Sequence, residues 1–239
     1  MDPPGIGRGR ATPHRFHPRA AGDRPDRVPP RDPVTPSPLA GLVLCGGAGR
    51  RMGGDKALLE FEGEPLVLRV ARRLGQVADP VLLAPGRAGR LGDLGYAEVA
   101  DASEQSGPLG GIVAGVAASP HDLVAVAAAD MPFASPPLFR LLAALHADDD
   151  VVVPVVGGQL EPLHAVYARS SLPALRATLQ ARRLELRAAL LNLRTRQVLE
   201  PEWRAADPTG GFAHNINRPE DLSVPGTSRI LGARIDTNE

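Results

Sequence analysis

A chain of 239 residues and 25.1 kDa has the length of one large domain with an appendage, enough to bury a substantial core. Its 27 basic and 27 acidic side chains cancel, which excludes the one-signed surface of a protein that binds nucleic acid or membrane by bulk electrostatics. A single cysteine excludes an internal disulfide framework and any Cys-cluster zinc or iron–sulfur site, and with neither a long apolar run nor an apolar start the expectation is a cytoplasmic protein.

Residues 1–38 hold ten prolines, seven arginines and four aspartates with almost no apolar face, so a disordered tail is expected, either a dispensable extension or a basic arm for a partner. A domain is expected over residues 39–224, with 225–239 a flexible C-terminal segment. Leu42 to Cys45 is a short apolar run that ends in glycines, as in a parallel strand buried on both faces. Leu66, Val67, Val70, Leu74 and Val77 recur at helical spacing. Strands are expected at 81–84 and 97–100, a small-residue helix from Pro108 to Ala118, and an apolar strand over 123–129 that runs into Asp130. Leu138, Phe139, Leu141, Leu142 and Leu145 form a further helical stripe, and Val151 to Val153 a fifth strand. A short strand at 163–167, helical stretches between Leu172 and Leu193 and a strand around Val198 complete the pattern. Alternating strands and helices specify an α/β, Rossmann-like three-layer fold with a mostly parallel central sheet, in which ligands sit at the carboxyl ends of the strands.

The loop after the first strand, Gly46-Gly47-Ala48-Gly49-Arg50-Arg51-Met52-Gly53-Gly54-Asp55-Lys56, packs five glycines, two arginines and a lysine into eleven residues. Glycines let several backbone N–H groups approach one anion, which points to phosphate. The dinucleotide fingerprint fails because Met52 stands where its third glycine belongs, and the P-loop pattern fails because Asp55 separates Gly54 from Lys56. Lys56 is the only lysine beside 26 arginines. In a chain that writes arginine for surface cations, the exception suggests a site that needs a compact, flexible point charge.

This loop, G-G-x-x-x-R-M-G-x-D-K, resembles the signature of the molybdenum cofactor guanylyltransferases, a branch of the nucleotidyltransferases. The resemblance continues with Asp101 and Gly107-Pro108-Leu109-Gly110-Gly111, then Asp130-Met131-Pro132, Glu161-Pro162-Leu163 and Asn215-Ile216-Asn217-Arg218-Pro219. The D-K ending distinguishes this branch from cytidylyl- and sugar-nucleotide transferases, whose loops usually end in P-K. Cys45, Ala48 and Gly49 depart from residues usual at those positions. A fold like that of the nucleotide-diphospho-sugar transferases is implied. The implied activity is transfer of GMP from GTP to the terminal phosphate of molybdenum-molybdopterin, with release of pyrophosphate. GTP and molybdenum-molybdopterin are then the substrates, other molybdenum cofactor biosynthesis proteins are candidate partners, and nucleic acid and membrane are not. Alternatives are a CTP-using sibling, a guanylyltransferase for another small phosphorylated acceptor, or a catalytically silent nucleotide-binding regulator.

Nucleotidyl transfer depends on positioning and charge neutralisation more than on covalent work by the protein. Arg51 can fork onto phosphate oxygens, Lys56 can follow the moving charge, and Mg2+ can bridge the rest. Asp130, at the end of the most apolar strand, is the candidate metal ligand, its alternative being a turn or helix cap. Arg51, Lys56 and Asp130 are therefore the candidate catalytic residues. The resemblance implies that Leu44, Gly46, Gly47, Lys56, Asp101, Gly107, Asp130 and Asn217 bind the nucleotide, with Asp101 at the base or sugar and Asn217 near the metal. Asp101 and the Asn-Ile-Asn run are alternatively cap and turn chemistry. Cys45 reads as a packed small hydrophobe, His164 and His214 as neighbours of the cleft, and Arg182, Arg183 and Arg187 as a solvated helix face. Neither H-E-x-x-H nor G-x-S-x-G occurs.

Overall fold

A computed structural model describes residues 38–46, 55–101 and 106–216. Among the sequence expectations, the tail, Gly47, Arg51, Asn217 and the C-terminal segment lie outside the described residues.

The first strand, β1 (Leu39–Leu44), is buried at every position, because helices cover both faces of the sheet around it. A small hairpin, β2 (Glu60–Phe61) and β3 (Glu64–Pro65), precedes α1 (Leu66–Leu74). The apolar stripe of α1 buries Leu66, Val67, Val70 and Leu74 completely, each contributing ~1.5–3 kcal/mol of gross burial. β4 (Val81–Gly86), β5 (Ala97–Ala100), α2 (Gly107–Ala118) and β6 (Leu123–Ala128) follow, and β1, β4, β5 and β6 pair in parallel. The expected strand over 123–129 thus ends at Ala128, and the small-residue helix begins at Gly107 rather than Pro108. α2 can lie directly on β1 because two of its residues are glycine. A Cβ on Gly115 would stand 2.3 Å from a methyl of Leu42, and one on Gly111 2.8 Å from a methyl of Leu44.

The second half comprises α3 (Pro136–Ala144), β7 (Val151–Val156), β8 (Gln159–Leu160) and β9 (His164–Ala168), then α4 (Leu172–Gln180), α5 (Leu186–Leu190), β10 (Thr195–Val198) and α6 (Glu200–Trp203). The sheet runs β10-β7-β9-β6-β1-β4-β5, with β8 paired to β7. It is mostly parallel, with β9 antiparallel to both β6 and β7. The link from Val156 to His164 is too short for a crossover, which takes a dozen or more residues, so β9 can only return antiparallel.

Alternate residues of the central strands feed two cores. Val43, Ala125, Ala127 and Val152 pack with α1, α3 and Trp203 of α6, while Leu42, Val124, Val126 and Val151 pack with α2, α4 and α5. Three layers result, as expected. Phe61, Leu66 and Ile216 form a small satellite core that brings the 214–216 segment beside the hairpin.

Candidate active site

The chain leaves β1 toward one edge of the sheet through α1 and β4, then crosses back through α2 to β6 on the other side of β1. In open α/β sheets ligands bind where the winding reverses, at the carboxyl ends of the strands, which places the candidate site there. The ends of β1, β4, β5 and β6 bring Gly46, Gly86, Asp101 and Asp130 to this edge.

Lys56 opens a 3-10 turn, Lys56–Leu58, whose cap is Asp55: its carboxylate accepts from the Ala57 N–H at 3.1 Å. Nζ of Lys56 donates to Oδ2 of Asp130 at 2.7 Å, with both side chains 24% exposed. The fold therefore joins two of the three candidate catalytic residues, 74 positions apart, in one solvent-accessible ion pair. Asp130 is placed by its backbone neighbours. The Ala129 N–H donates to the Leu44 carbonyl at 2.9 Å, and the Asp130 carbonyl accepts from Ile216 N–H at 2.8 Å. Among the described residues its carboxylate accepts from Lys56 and from no backbone N–H, so it forms no cap. Arg69 and Arg73 of α1 donate to the carbonyls of Pro132 and Ala134, securing the loop behind it.

Two oxygens lack partners among the described residues: Oδ1 of Asp130 and Oδ1 of Asn215, the residue before the Ile216 that bonds the Asp130 carbonyl, are both buried and unbonded. Hard, desolvated oxygens with no donor suit a divalent cation such as magnesium, which takes few protein ligands and fills its other positions with water or phosphate. Among the described residues no group of three or more His, Cys, Asp or Glu side chains gathers for a metal, so this is no self-sufficient protein cage. Glu161 adds negative charge nearby. Burial raises its pKa, the Asp130 carboxylate raises it further, and a bond from the Leu163 N–H opposes both.

Asp101 follows β5, and its backbone N–H donates to the Gly86 carbonyl at 3.1 Å. Its Oδ2 accepts from the Ser106 hydroxyl at 2.8 Å, while Oδ1 is buried without a partner among the described residues. Burial raises its pKa, and the Ser106 bond works the other way. Gly107 has φ +61°, a left-handed conformation, so glycine is required there by the backbone at the mouth of α2. Gly110 has another reason: a Cβ would lie 1.8 Å from the Ser106 Oγ and 3.0 Å from the Asp101 Oδ2. Gly46 is exposed, and a Cβ there would meet Gly86 backbone only at an ordinary 3.7 Å, so internal packing does not demand glycine. Leu44 turns its side chain onto Gly111 and its carbonyl to Ala129.

His164 proves to be a core residue. It is fully buried, stacked on Phe139 at 3.9 Å, and its Nε2 accepts from the Ser135 N–H at 2.9 Å, so burial pushes its pKa down to about 3. His214 packs against Phe133 with ring centroids 6.2 Å apart. Burial pushes the Cys45 thiol up to about 12, as befits a packed small hydrophobe. Arg187 donates to the Leu160 carbonyl at 3.2 Å beside Glu161. Ser106 and Arg90 carry no signal in the sequence, and Asp55 and Glu161 are marked there only by their motifs.

Residues 41–206 match the MobA-like NTP transferase domain family. The chain is 35% identical over 182 residues to a probable molybdenum cofactor guanylyltransferase of Pelotomaculum thermopropionicum, covering 76% of this chain and 89% of that one. It is 32% identical over 188 residues to the molybdenum cofactor guanylyltransferase of Desulfosudis oleivorans, covering 77% and 92%. Among solved structures, molybdopterin-guanine dinucleotide biosynthesis protein A of Archaeoglobus fulgidus superposes with a TM-score of 0.68 at 25% identity, over 77% of this chain and 94% of that one. The 2-C-methyl-D-erythritol 4-phosphate cytidylyltransferase of Thermus thermophilus shares the fold, with a TM-score of 0.55 at 21% identity over 77% of this chain and 95% of that one. With the signature loop's lysine paired to the aspartate after β6, the chain belongs to the molybdenum cofactor guanylyltransferase family of MobA-like nucleotidyltransferases.

Proposed function

We propose that this chain transfers GMP from GTP to the terminal phosphate of molybdenum-molybdopterin, forming molybdopterin guanine dinucleotide and pyrophosphate. The observation that carries the reaction type is the Lys56–Asp130 pair at the carboxyl edge of β1 and β6, with one Asp130 oxygen left unbonded. An oxygen of the acceptor phosphate attacks the α-phosphorus, the bond from that phosphorus to the bridging oxygen of pyrophosphate breaks, and the electron pair leaves with pyrophosphate. Lys56 offsets charge on the phosphates through a point ammonium that can follow them. Asp130 would hold magnesium, and Asn215, beside the Ile216 that bonds the Asp130 carbonyl, is a second candidate oxygen. Bound there, magnesium supplies Lewis-acid neutralisation of phosphate charge. Asp101, held by Ser106 with a second oxygen unbonded, is suited to accept hydrogen bonds from a base or sugar. Arg51, Gly47 and Asn217 keep the roles that the family resemblance implies. The choice of GTP and of the acceptor is supported by the names of the relatives.

The test is a panel of GTP, CTP and ATP with magnesium and purified molybdenum-molybdopterin, read as pyrophosphate release and dinucleotide formation. A strong preference for GTP is expected, since a site that hydrogen-bonds the right base can reject the wrong one by ~10⁴-fold. Comparable turnover with CTP would transfer the assignment to the cytidylyl sibling, and absence of turnover with every nucleotide would refute it.

A further inference from the structure

Arg90 follows β4 outside every motif discussed above, yet each of its three guanidinium nitrogens has a partner. The side chain is 16% exposed. Nε donates to the Pro85 carbonyl at 2.9 Å, Nη2 donates to the Cys45 carbonyl, and Nη1 pairs with the Asp55 carboxylate. These acceptors come from three places: within the end of β4, directly after β1, and directly before Lys56. Cys45 immediately precedes the signature loop, and Asp55 is its last residue before Lys56. The other oxygen of Asp55 caps the turn that Lys56 opens, so one aspartate joins Arg90 on one side and the lysine's own turn on the other.

The choice of side chain is itself informative. A planar guanidinium can donate in several fixed directions to two carbonyls and a carboxylate, whereas an ammonium on a flexible stem would not fix their mutual angles. A cation this enclosed is tolerated because each of its nitrogens is paired. The far side of the Lys56 turn is fastened separately, by the Leu59 carbonyl accepting from Leu66 N–H at 2.9 Å and by Phe61 in the satellite core. Arg90 thus secures the near side.

We infer that Arg90 is a positioning residue for nucleotidyl transfer, holding Asp55 against the ends of β1 and β4 so that the Lys56 ammonium is delivered to Asp130 and the substrate phosphates. The inference rests on the reading of Lys56 as the cation of the reaction. Misplacing a catalytic group by about 1 Å can cost on the order of 10²-fold in rate, so the effect should be large although Arg90 touches no substrate.

The test is a double-mutant cycle in the full chain with Arg90→Met, Lys56→Met and both, measuring kcat and KM for GTP, GTP affinity by calorimetry, and thermal melts. Arg90→Met is expected to lower kcat by roughly 10–100-fold in the otherwise native protein, and by less than about 3-fold once Lys56 is Met, because the residue it places has lost its charge. Should Lys56→Met turn over too slowly to measure, the same non-additivity is expected in GTP affinity. Equal losses in both backgrounds would mark a purely structural residue and overturn the inference, as would native kcat in Arg90→Met. Arg90→Lys, which keeps the charge but cannot hold both carbonyls and Asp55 at fixed angles, carries the same cycle with the same expected losses if the methionine variant does not fold. Native kcat in Lys56→Met would instead refute the role of Lys56 itself, an outcome separable from any result at Arg90.

Discussion

Replacing Asp130 by Asn removes a charge at nearly constant volume, and the structure allows its effects on stability and rate to be separated. The ion pair to Lys56 spans 2.7 Å but both side chains are 24% exposed, so solvent screens much of the attraction. Pairs of this kind contribute ~0–1 kcal/mol, and the asparagine amide oxygen can still accept from Nζ. For a domain of this length ~1 kcal/mol corresponds to roughly 2–4 °C in melting temperature, which bounds the expected shift. The rate should respond differently. The unbonded, buried Oδ1 loses its charge where phosphate-bound magnesium is expected, and removing one preorganised electrostatic group costs about 10²–10³-fold in kcat, or ~3–4 kcal/mol. Circular dichroism melts beside a magnesium titration of pyrophosphate release measure both quantities. A variant that melts normally, turns over slowly and requires more magnesium fits the reasoning. Native turnover and magnesium dependence would refute it and remove Asp130 from the site.

Lys56→Arg should lose turnover with little change in melting temperature, since a planar fork cannot take the place of a mobile ammonium; retention of most of kcat would show that only charge matters there. Gly110→Ala should raise KM for GTP and destabilise by ~1–3 kcal/mol, because its Cβ displaces the Ser106 hydroxyl that holds Asp101, whereas Gly115→Ala should destabilise comparably through Leu42 and leave KM unchanged. Denaturant titrations and GTP saturation curves on the two variants separate these effects. His164 is neutral in the folded chain, with a pKa near 3 against 6.5 in the unfolded one, so the unfolded state binds the extra proton and stability falls as pH drops from 6.5 toward 3. That loss runs at about 1.4 kcal/mol per pH unit from this group, and His164→Gln, measured by melts across the range, should show a shallower slope.

Strands and helices were legible in the sequence because periodicity is local: Leu66, Val67, Val70 and Leu74 mark one helix face wherever the helix packs. The glycine loop, the solitary lysine and the aspartate ending an apolar strand pointed in the same way to phosphate and metal chemistry at the carboxyl edge of a parallel sheet. Tertiary structure decided the rest. Only strand pairing shows that β9 runs antiparallel, and only the folded chain turns His164 into a buried acceptor for Ser135. Likewise Gly110 proves to make room for the Ser106–Asp101 bond. Arg90 is the clearest case, one arginine among 26 with no motif around it, whose acceptors at Cys45, Pro85 and Asp55 lie on three separate segments. A hydrogen-bond partner brought in by chain crossing has no fixed spacing from its donor, so periodicity and motifs cannot reveal it, and only the packed sheet brings the two together.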